Sequence, residues 1–596
     1  MAAFPVLAQG QTAMLQDVVV TATRVPTPIT EVLADVSIID RTTIERSGAT
    51  GLADVLGRIP GVSFSRNGGP GTTTSVYLRG AESRFTAVYV DGVRIDSQST
   101  GGATWNAIPL SQIERIEVVR GPAAAIYGSD ALGGVIQLFT RRGEAGFAPA
   151  IEIGAGSHGT KKFDASLSGT KGAVDYALGL SREISDGFNV QPAANPDKDG
   201  YQNTAVSARL GWQIDTAHRL EATLLNNDMD AQYDASTEDD HSLHKLQTLG
   251  LKWSANWSDT YRTQLSASQG KDRYETSPLV YLTDTRVTSY LWQNEWKLGA
   301  HQLTAALERR EDKLDNASTT PAITERSQNA LALGYGLRRD DHTLQLNARH
   351  DDDSEFGGKT TGAAAYAYGF MPHWRATASA GTAFRAPTLF QRFSIYGVPS
   401  LQPETSRNLE VGVKYGAQGD SFSAVLYRNK VRNLINYLPG KGPCVNGTVV
   451  NDMPEYPGCY GNTGSAQYRG LTLAGETQLG AVLLGASLDL QNPENLITNK
   501  RLARRPKQMA TVTADTLIAG WTVGGEVQWV GERYNDAANK KKLASYGLLN
   551  LSASTELAPN WTLLGRLDNL ADKDYETVLG YATAGRTVYV GLKWAQ

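Results

Sequence analysis

Two acidic stretches carry the side chains of this sequence that are best suited to binding a metal ion. They are DGFNVQPAANPDKDGYQ at 186–202 and QYDASTEDDH at 232–241, and both lie between segments that alternate in polarity. Calcium takes six to eight oxygen ligands from carboxylates, amides and main-chain carbonyls, which two acidic loops can supply together. The competing interpretation is a pair of solvated Asp-Gly loops, which are common connections and bind no ion.

The sequence carries no enzyme signature. It contains no nucleotide-binding Walker loop, no HExxH zinc motif, no GxSxG nucleophile elbow and no CxxC redox pair. The segment SLHK at 242–245 matches an SxxK pattern, but nothing around it supports catalysis. We therefore expect no catalytic residue and no redox or nucleotide cofactor. Because Lys and Arg total 57 against 61 Asp and Glu, no basic surface predicts nucleic acid as a partner.

The beginning of the chain indicates export. The first residues, MAAFPVLAQGQTA, resemble the end of a signal peptide, with small residues before Gln9, and residues 1–8 are interpreted as its remnant. The alternative is an added leader with no biological role. In an exported protein an isolated cysteine pair usually forms a disulfide, and the chain has two cysteines, Cys444 and Cys459. We expect these two residues to be bonded and to close one loop.

The elements that position these groups change in character near residue 147. From there on, short segments alternate in polarity, as in LTLAGETQLG (471–480) and TVYVGLKW (587–594). Successive side chains of a strand point to opposite faces, so each segment presents one apolar and one polar wall. No run of 18 apolar residues is present, so a chain that crosses a membrane must do so as a closed barrel with lipid outside. The rival structure, a soluble β-sandwich, would rarely continue for so long.

The length of residues 147–596 sets the size of this barrel. At roughly 20 residues per strand and connection it holds about 22 antiparallel strands, and its lumen is wide enough to need a plug. The fold class is therefore an all-β transmembrane barrel with an N-terminal mixed α/β plug domain inside the lumen. Aromatic residues near strand ends are expected to form interfacial girdles, namely Trp253, Trp257, Trp292, Trp296 and Trp594.

Residues 31–146 have the spacing of a compact mixed domain, which would be that plug. SGATGLADVLGRIPGV at 47–62 predicts a helix that begins at a Ser47 cap, has one apolar face and ends at Pro60. TSVYLRG and TAVYVDGVRI predict short strands around Gly turns. Residues 113–140 predict a strand, a turn, a short helix and a second strand.

Residues 9–30 form a separate segment ahead of the plug. QDVVVTATR at 16–24 favours a strand, while VPTPIT at 25–30 prevents its extension. Such a strand has unpaired N–H and C=O groups, so it can add to the sheet of a partner protein. The alternative is a strand docked on its own plug, which spacing alone does not reject. We expect residues 1 to about 25 to be mobile or variably placed in the absence of a partner.

These motifs together resemble those of TonB-dependent outer-membrane receptors. The matching segments are QDVVVTATR, DVLGRIPGV, YLRGAESRFTAVYVDGVRI and VVRGPAAAIYGSDALGGVI. RLARRPKQ (501–508) and DNLADKDYETVLGYATAGR (568–586) are similar to the cobalamin (vitamin B12) branch of that family in particular. The resemblance implies a monomer in the outer membrane of a Gram-negative bacterium, among lipid and lipopolysaccharide, that imports a corrinoid. It also implies that TonB binds a TonB box made of Gln16, Asp17, Val18, Val19, Val20, Thr21, Ala22 and Thr23.

The resemblance further implies a calcium site in the two acidic stretches. The positions that match the family's ligands are Asn189, Asn195, Asp197, Asp199, Tyr233, Asp234 and one of Asp239 and Asp240. Asn189 stands where the family has Asp, and Asn195 stands where it has Gln. One carboxylate is therefore lost, which should weaken calcium binding.

Substrate contacts are implied by the same resemblance. They match Thr73, Ser75, Glu82, Thr100, Gly101 and Arg504. Thr73 replaces an apolar residue, Glu82 replaces Asn, and Ala538 replaces Tyr, so the form of corrinoid that is bound stays open. For Arg504 and its neighbour Arg505, the alternative is a basic pair in a ladder of charges that faces the lumen.

Three other functions stay open at this point. A receptor for a siderophore or another metal chelate belongs to the same transport class, and aromatic and Arg-rich loops would favour it. A passive porin belongs to a different class, but it would need neither a plug nor a TonB box. A surface adhesin or phage receptor would use the loops and could coexist with transport.

Overall fold

The computed structural model describes residues 18–19, 24, 27–29, 32–47, 49–121, 123–144, 146–236, 238–417, 419–439 and 458–596. Within these residues, 22 long strands form a closed antiparallel barrel, and a smaller domain of mixed sheet and short helices precedes it. Both parts are as the sequence predicts. Among the described residues, no helix combines the length and the apolar character that a membrane-spanning helix requires.

The plug is built from short elements. Its strands are β1 (Val18–Val19), β2 (Thr27–Pro28), β3 (Asp35–Asp40), β4 (Val62–Arg66), β5 (Thr74–Leu78), β6 (Thr86–Val90), β7 (Val93–Arg94), β8 (Ile113–Arg120) and β9 (Gly134–Thr140). Its helices are α1 (Arg41–Ser47), α2 (Leu52–Leu56) and α3 (Ala124–Tyr127). One sheet has the order β3-β8-β9-β6-β7, in which only β6 and β9 are parallel, and β4 pairs separately with β5.

The barrel begins at Phe147 and its last strand ends at Ala595. Its strands are β10 (Phe147–Gly156), β11 (Lys161–Lys171), β12 (Val174–Phe188), β13 (Asp199–Gln213), β14 (His218–Gln232), β15 (His241–Ser258), β16 (Tyr261–Ser277), β17 (Leu282–Leu298), β18 (His301–Asn316), β19 (Ile323–Arg339), β20 (His342–Asp353), β21 (Gly357–Met371), β22 (Trp374–Arg385), β23 (Glu404–Ala417), β24 (Asp420–Pro439), β25 (Gly458–Leu479), β26 (Val482–Asn495), β28 (Gln508–Ile518), β29 (Trp521–Val530), β32 (Tyr546–Ala558), β33 (Trp561–Asp568) and β34 (Thr587–Ala595). The connections contain α4 (Leu389–Phe393), β27 (Lys500–Arg501), β30 (Arg533–Tyr534) and β31 (Lys542–Leu543). Pairing of β10 with β34 closes the barrel.

The two rims of the barrel differ. At one rim the strands are joined by turns of two to four residues, and at the other the connections reach 18 residues, as in 386–403. We call these the short-turn rim and the long-loop rim. In outer-membrane barrels, short turns face the periplasm and long loops face the outside.

The strand pattern places apolar side chains on the outer wall, as the sequence predicts. In β34, Val588 and Val590 are 45% and 50% exposed, and Tyr589 between them faces inward to bond Glu152. The five tryptophans that were expected in girdles lie in the halves of β15, β17 and β34 next to the short-turn rim. There the ring of Trp296 stacks on that of Tyr261 with a centroid distance of 5.3 Å.

The helix predicted to begin at Ser47 is wrong in its limits. Ser47 ends α1, where its hydroxyl donates to the Ile44 carbonyl at 2.7 Å, and Gly51 is the N-cap of α2. Because α1 already uses the residues before Ser47, the second helix starts one turn later and stops at Leu56. Its apolar face is as predicted, since Leu52, Val55 and Leu56 are buried in the core of the plug.

Direct polar contacts hold the plug against the barrel wall. Arg79 pairs with Asp35 of the plug at 2.6 Å and with Glu410 of β23 at 2.8 Å. The backbone N–H of Gly61 donates to Asp489 of β26 at 2.8 Å. The lumen is therefore closed by a plug that is bonded to several strands, not by a loosely held loop.

Candidate functional site

Three plug loops reach the long-loop rim, where a ligand from outside would first meet the protein. The N–H of Arg66 donates to the Thr577 hydroxyl at 3.0 Å, in the connection between β33 and β34. The carbonyl of Gln98 accepts from the N–H of Phe390 in α4 at 3.2 Å. A Cβ atom added to Gly80 would lie 3.0 Å from Pro493, at the end of β26. These contacts place plug residues 66–74, 79–84 and 96–102 beneath the long loops.

The substrate residues assigned from the sequence fall on these three loops or next to them. Thr73 and Thr100 have exposed side chains, and Ser75 is half-buried. Gly101 instead makes a close plug–wall approach, because a side chain there would overlap the Arg385 guanidinium, and its φ of +72° also favours glycine. Thr73 and Thr100 are thus available to a ligand, while Gly101 contributes close packing.

Glu82 lies in a cluster of paired charges on the same surface. Its carboxylate is 3.3 Å from Arg505 and 3.5 Å from Arg84, and Arg84 also pairs with Glu404 at 3.2 Å. The Arg505 guanidinium lies 4.4 Å above the ring of Tyr77. Burial opposes ionisation of Glu82, but the two guanidinium groups outweigh it, so the pKa of its carboxyl is lowered.

Arg504 lies away from this cluster. Its backbone N–H donates to the Tyr534 carbonyl at 2.6 Å and its Nε to Asn535 at 3.2 Å, both in the connection between β29 and β32. The next residue, Arg505, is the one that contacts the plug. The motif RLARRPKQ was therefore informative, but it could not tell which of two adjacent arginines points inward.

At the other end of the plug, Val18 and Val19 of the predicted TonB box are docked on their own chain. Val18 pairs with Pro28 and Val19 with Thr27 in an antiparallel register. Val19 is fully buried against Val32 and Val119. Gln16, Asp17, Val20, Thr21, Ala22 and Thr23 lie outside the described residues. Val18 and Val19 thus follow the alternative that the sequence left open, a strand docked on its own plug, with the Val19 side chain in an apolar site. The expected mobility of residues 1 to about 25 stays a prediction.

Arg24 follows the box directly and fastens it to both domains. Its Nη1 lies 3.0 Å from Glu308 of β18, and its Cζ lies 4.6 Å from the ring centre of Tyr127. The Arg24 carbonyl accepts from Gln293 of β17 at 3.3 Å. Glu308 has a second partner, Arg349 of β20, at 2.9 Å. Within the described residues, Arg24 thus connects this segment to the barrel wall through both its side chain and its carbonyl.

Five of the eight positions named for the calcium site converge at the long-loop rim. The main-chain carbonyl of Asn195 accepts from the side-chain amide of Asn189 at 2.6 Å, and the Asp199 carboxylate accepts from the Val190 N–H at 2.8 Å. The side-chain oxygens Oδ1 of Asn189 and Oδ2 of Asp234 are buried without a hydrogen-bond partner. Burial and the neighbouring carboxylate of Asp197 raise the pKa of Asp234. Buried oxygens that lack a hydrogen-bond donor and lie next to further carboxylates repel one another. A bound cation would remove this repulsion.

The remaining predicted ligands are engaged elsewhere. Asp240 accepts from the Ser236 N–H at 2.7 Å and from its hydroxyl at 2.9 Å, which closes a turn. Asp239 lies 3.2 Å from His241 and accepts from Gln232 at 2.8 Å. Tyr233 donates its N–H to the Asp240 carbonyl. Within the described ranges, no three His, Cys, Asp or Glu side chains are already arranged to hold a metal.

Cys459 lies at the start of β25 and is disulfide-bonded. Cys444 lies outside the described residues, so the pairing of these two cysteines stays a prediction. The main-chain register places Cys459 opposite Leu438, at the ends of β24 and β25 on the long-loop rim. A disulfide here would restrain the connection between these two strands.

Comparison with known proteins identifies the family. Residues 164–570 match the family described as TonB dependent receptor-like, beta-barrel, and residues 28–135 match the TonB-dependent Receptor Plug Domain. The chain belongs to the TonB-dependent receptors. Receptors of this family are transport proteins with an outer-membrane barrel fold of Gram-negative bacteria, and they bind TonB.

The receptor is similar in sequence to a vitamin B12 transporter and in fold to siderophore receptors. It is 31% identical over 581 residues to the vitamin B12 transporter BtuB of Photobacterium profundum, covering 96% of this chain and 94% of that one. The siderophore receptor PirA of Acinetobacter baumannii has a TM-score of 0.82 at 19% identity, covering 94% of this chain and 98% of PirA. A mutant of the ferric enterobactin receptor PfeA of Pseudomonas aeruginosa has a TM-score of 0.82 at 20% identity, covering 97% and 100%. These two structures share the fold of the receptor.

Several contacts of the receptor were not predicted from its sequence. Arg505, Arg24 and Glu308 each join the plug or its leading segment to the wall, yet none stands in a pattern that reveals its partner. Glu308 is distant from Arg24 by 284 positions along the chain. The alternation of β18 does indicate that Glu308 faces the lumen, where a buried carboxylate needs a partner, but it does not identify that partner.

Proposed function

We propose that this receptor binds a corrinoid of the cobalamin type at the long-loop rim and imports it with energy transmitted by TonB. The observation that carries the proposal is the 31% identity to a vitamin B12 transporter across nearly the whole chain. The siderophore receptors match in fold at about 20% identity, which does not extend to the ligand.

The charges at the mouth support a ligand with little net charge. Arg84, Arg385 and Arg505 all lie near this surface, and each has a carboxylate partner, since Arg385 pairs with Glu404 at 2.9 Å. A strongly anionic ferric chelate would be held best by cations without such partners. A corrinoid, with amide arms around a macrocycle, can instead be held by many polar contacts, such as those offered by Thr73 and Thr100.

The closed lumen supports gated transport over passive diffusion. A cavity of about 300 Å³ lies between the plug and the wall formed by β10–β13 and β32–β34, with Gly69 and Phe188 at one end and Arg41 and Glu45 at the other. That volume is at the lower limit for sites of drug-sized molecules, so this cavity is too small to let a corrinoid pass. Transport then requires movement of the plug, and the docked box next to Arg24 is the segment on which TonB would act.

We expect calcium to join the two acidic loops of the receptor. Asn189, Asp197, Asp199 and Asp234 would supply the oxygens, and the unpaired Oδ1 of Asn189 and Oδ2 of Asp234 support this assignment. Bound calcium would hold the connections 189–198 and 233–240 together beside the mouth. Calorimetry should detect heat of calcium binding to the wild type and none to Asp199→Ala. Absence of heat from both proteins would contradict the assignment.

Ligand binding to the purified receptor distinguishes a corrinoid from a ferric siderophore as its substrate. Cyanocobalamin should quench tryptophan fluorescence with saturation, whereas ferric enterobactin should not bind. Thr100→Trp should weaken cyanocobalamin binding by more than about tenfold, because the indole would occupy the mouth. Thr260→Trp is the matched control, since Thr260 is an exposed threonine of the opposite, short-turn rim and should not affect binding. Binding of ferric enterobactin in place of cyanocobalamin would refute the corrinoid assignment.

A further inference from the structure

A band of basic side chains crosses the outer wall of the barrel on β23, β24 and β25. Antiparallel pairing places Arg407 opposite Lys430 and Arg428 opposite Arg469 on one face of the sheet, with Arg432 one step further along β24. The alternate residues of the same strands face the plug, because Tyr427 lies under Arg79 and Asn429 donates to the Leu132 carbonyl. These five cations, Arg407, Arg428, Lys430, Arg432 and Arg469, therefore point away from the lumen, and we call them the basic band.

The basic band lies at the upper edge of the lipid-facing surface. Leu409 and Leu426, directly on its short-turn side, are 58% and 54% exposed. Lys430 is ten residues beyond Asp420, which at about 3.3 Å per residue and a strand tilt of about 40° corresponds to about 25 Å of height. The apolar band of an outer-membrane barrel is about 25 Å tall, so these cations lie where lipid headgroups begin.

Few carboxylates neutralise the cations of the basic band. Arg407, Lys430 and Arg432 form no ion pair with any residue in the described part of the chain, Arg428 bonds the amide of Gln467, and Arg469 lies 3.8 Å from Glu494. Four other outward cations at a similar level are paired: Lys245 with Asp228 at 3.0 Å, Lys271 with Asp284 at 3.0 Å, Arg309 with Glu311 at 2.8 Å and Lys313 with Glu325 at 2.7 Å. Arg182 and Arg286 also face outward without an ion pair among the described residues, but each stands singly and not in a group of unpaired cations. The basic band is thus a local excess of positive charge that the described protein does not neutralise.

We propose that the basic band binds the phosphorylated headgroup of an outer-leaflet glycolipid of the lipid A type. Phosphate groups accept several charge-assisted hydrogen bonds from Arg and Lys at once. Acyl chains attached to the same molecule would lie on Leu409, Leu426 and the apolar wall next to them. A free phosphate could pair with the cations, but it would make no contact with the exposed leucines next to them. The site is separate from the mouth, so it does not depend on which ligand the receptor imports.

The test compares two fourfold variants of the full-length receptor in detergent. Arg407→Gln, Arg428→Gln, Lys430→Gln and Arg432→Gln together remove the unpaired charge, and Lys245→Gln, Lys271→Gln, Arg309→Gln and Lys313→Gln remove the same number of paired charges. Native mass spectrometry with purified diphosphoryl lipid A measures binding. Loss of the basic band should weaken binding by more than about tenfold, while the control should change it by less than about twofold.

Three further arms define the ligand. Dephosphorylated lipid A should bind the wild type more than about tenfold more weakly than diphosphoryl lipid A does. Phosphatidylglycerol and millimolar inorganic phosphate should neither match lipid A in affinity nor displace it. The proposal would be overturned if the two variants had equal effects, or if lipid A with and without its phosphates bound equally well. Equal binding of phosphatidylglycerol and lipid A would also overturn it. If the fourfold variant fails to fold, the double variant Lys430→Gln with Arg432→Gln replaces it in the comparison. Its affinity for diphosphoryl lipid A should fall by more than about threefold.

Discussion

Replacement of Arg24 by alanine should release the predicted TonB box from the plug. The substitution removes the ion pair with Glu308 and the contact with the ring of Tyr127. It leaves no buried carboxylate without a partner, because Glu308 keeps Arg349 at 2.9 Å. The change in docking therefore reports the contacts of Arg24 itself and not a new unpaired charge.

The expected size of the effect follows from these two contacts. Arg24 and Glu308 have side chains that are 13% and 12% exposed, so their interaction is only weakly screened by solvent. An ion pair with a hydrogen bond of this kind contributes about 1.5 kcal/mol, and a partly buried cation–π contact adds about 0.5 kcal/mol. Together they give about 2 kcal/mol, which corresponds to a roughly 30-fold shift towards the undocked box.

Hydrogen–deuterium exchange measures this shift directly. The peptide that contains Val18 and Val19 should exchange roughly 30-fold faster in Arg24→Ala than in the wild type, while the five-stranded plug sheet keeps its protection. Arg309→Ala is the matched control, because Arg309 lies next to Glu308 on β18 but faces outward, and it should leave the peptide unchanged. Equal exchange in Arg24→Ala and the wild type would refute the role of Arg24 in docking.

Three other parts of the receptor give testable expectations. Burial favours the neutral form of Asp35, but Arg120 and Arg79 outweigh it and hold its pKa at about 2, so about 2 kcal/mol of stability is present above pH 4 and lost as pH falls towards 2. Asp35→Asn should flatten this pH dependence in denaturant unfolding, and parallel curves would contradict the assignment. Val18→Pro should abolish TonB-dependent uptake but not surface binding, whereas Val18→Ala should weaken uptake only mildly; unchanged uptake in the proline variant would exclude the box as the TonB contact. Cys459 should form its disulfide with the chain's other cysteine, and free thiols in intact-mass analysis under non-reducing conditions would exclude it.

The sequence was sufficient for the barrel because alternation is a local property that repeats in every strand. Each of the 22 strands carries the same period, and the aromatic side chains near their ends agree with it. Local patterns also located the plug strands, such as Thr74–Leu78 and Thr86–Val90. The limits of α2 were missed, because a serine can end one helix as well as begin another and only packing decides between them.

The contacts of the candidate site depend on pairs of residues that are distant in the chain. Arg505 meets Glu82, and Arg24 meets Glu308, only because the barrel encloses the plug. A β-branched segment such as QDVVVTATR indicates a strand, but it cannot say whether the strand pairs with a partner protein or with its own plug. Val19 resolves this for the resting receptor, since its side chain is buried by the chain itself. A partner that adds its own strand to this segment must therefore compete with that packing.

Accumulation of radiolabelled cyanocobalamin in cells tests the central claim most directly. Cells that lack their own cobalamin receptor would express this one, with TonB present or deleted, and surface-bound and internal label would be counted separately. The account predicts surface binding in both strains and internal label only where TonB is present. Internal label that is independent of TonB, or no cyanocobalamin bound at the surface of cells that take up a ferric siderophore, would contradict it.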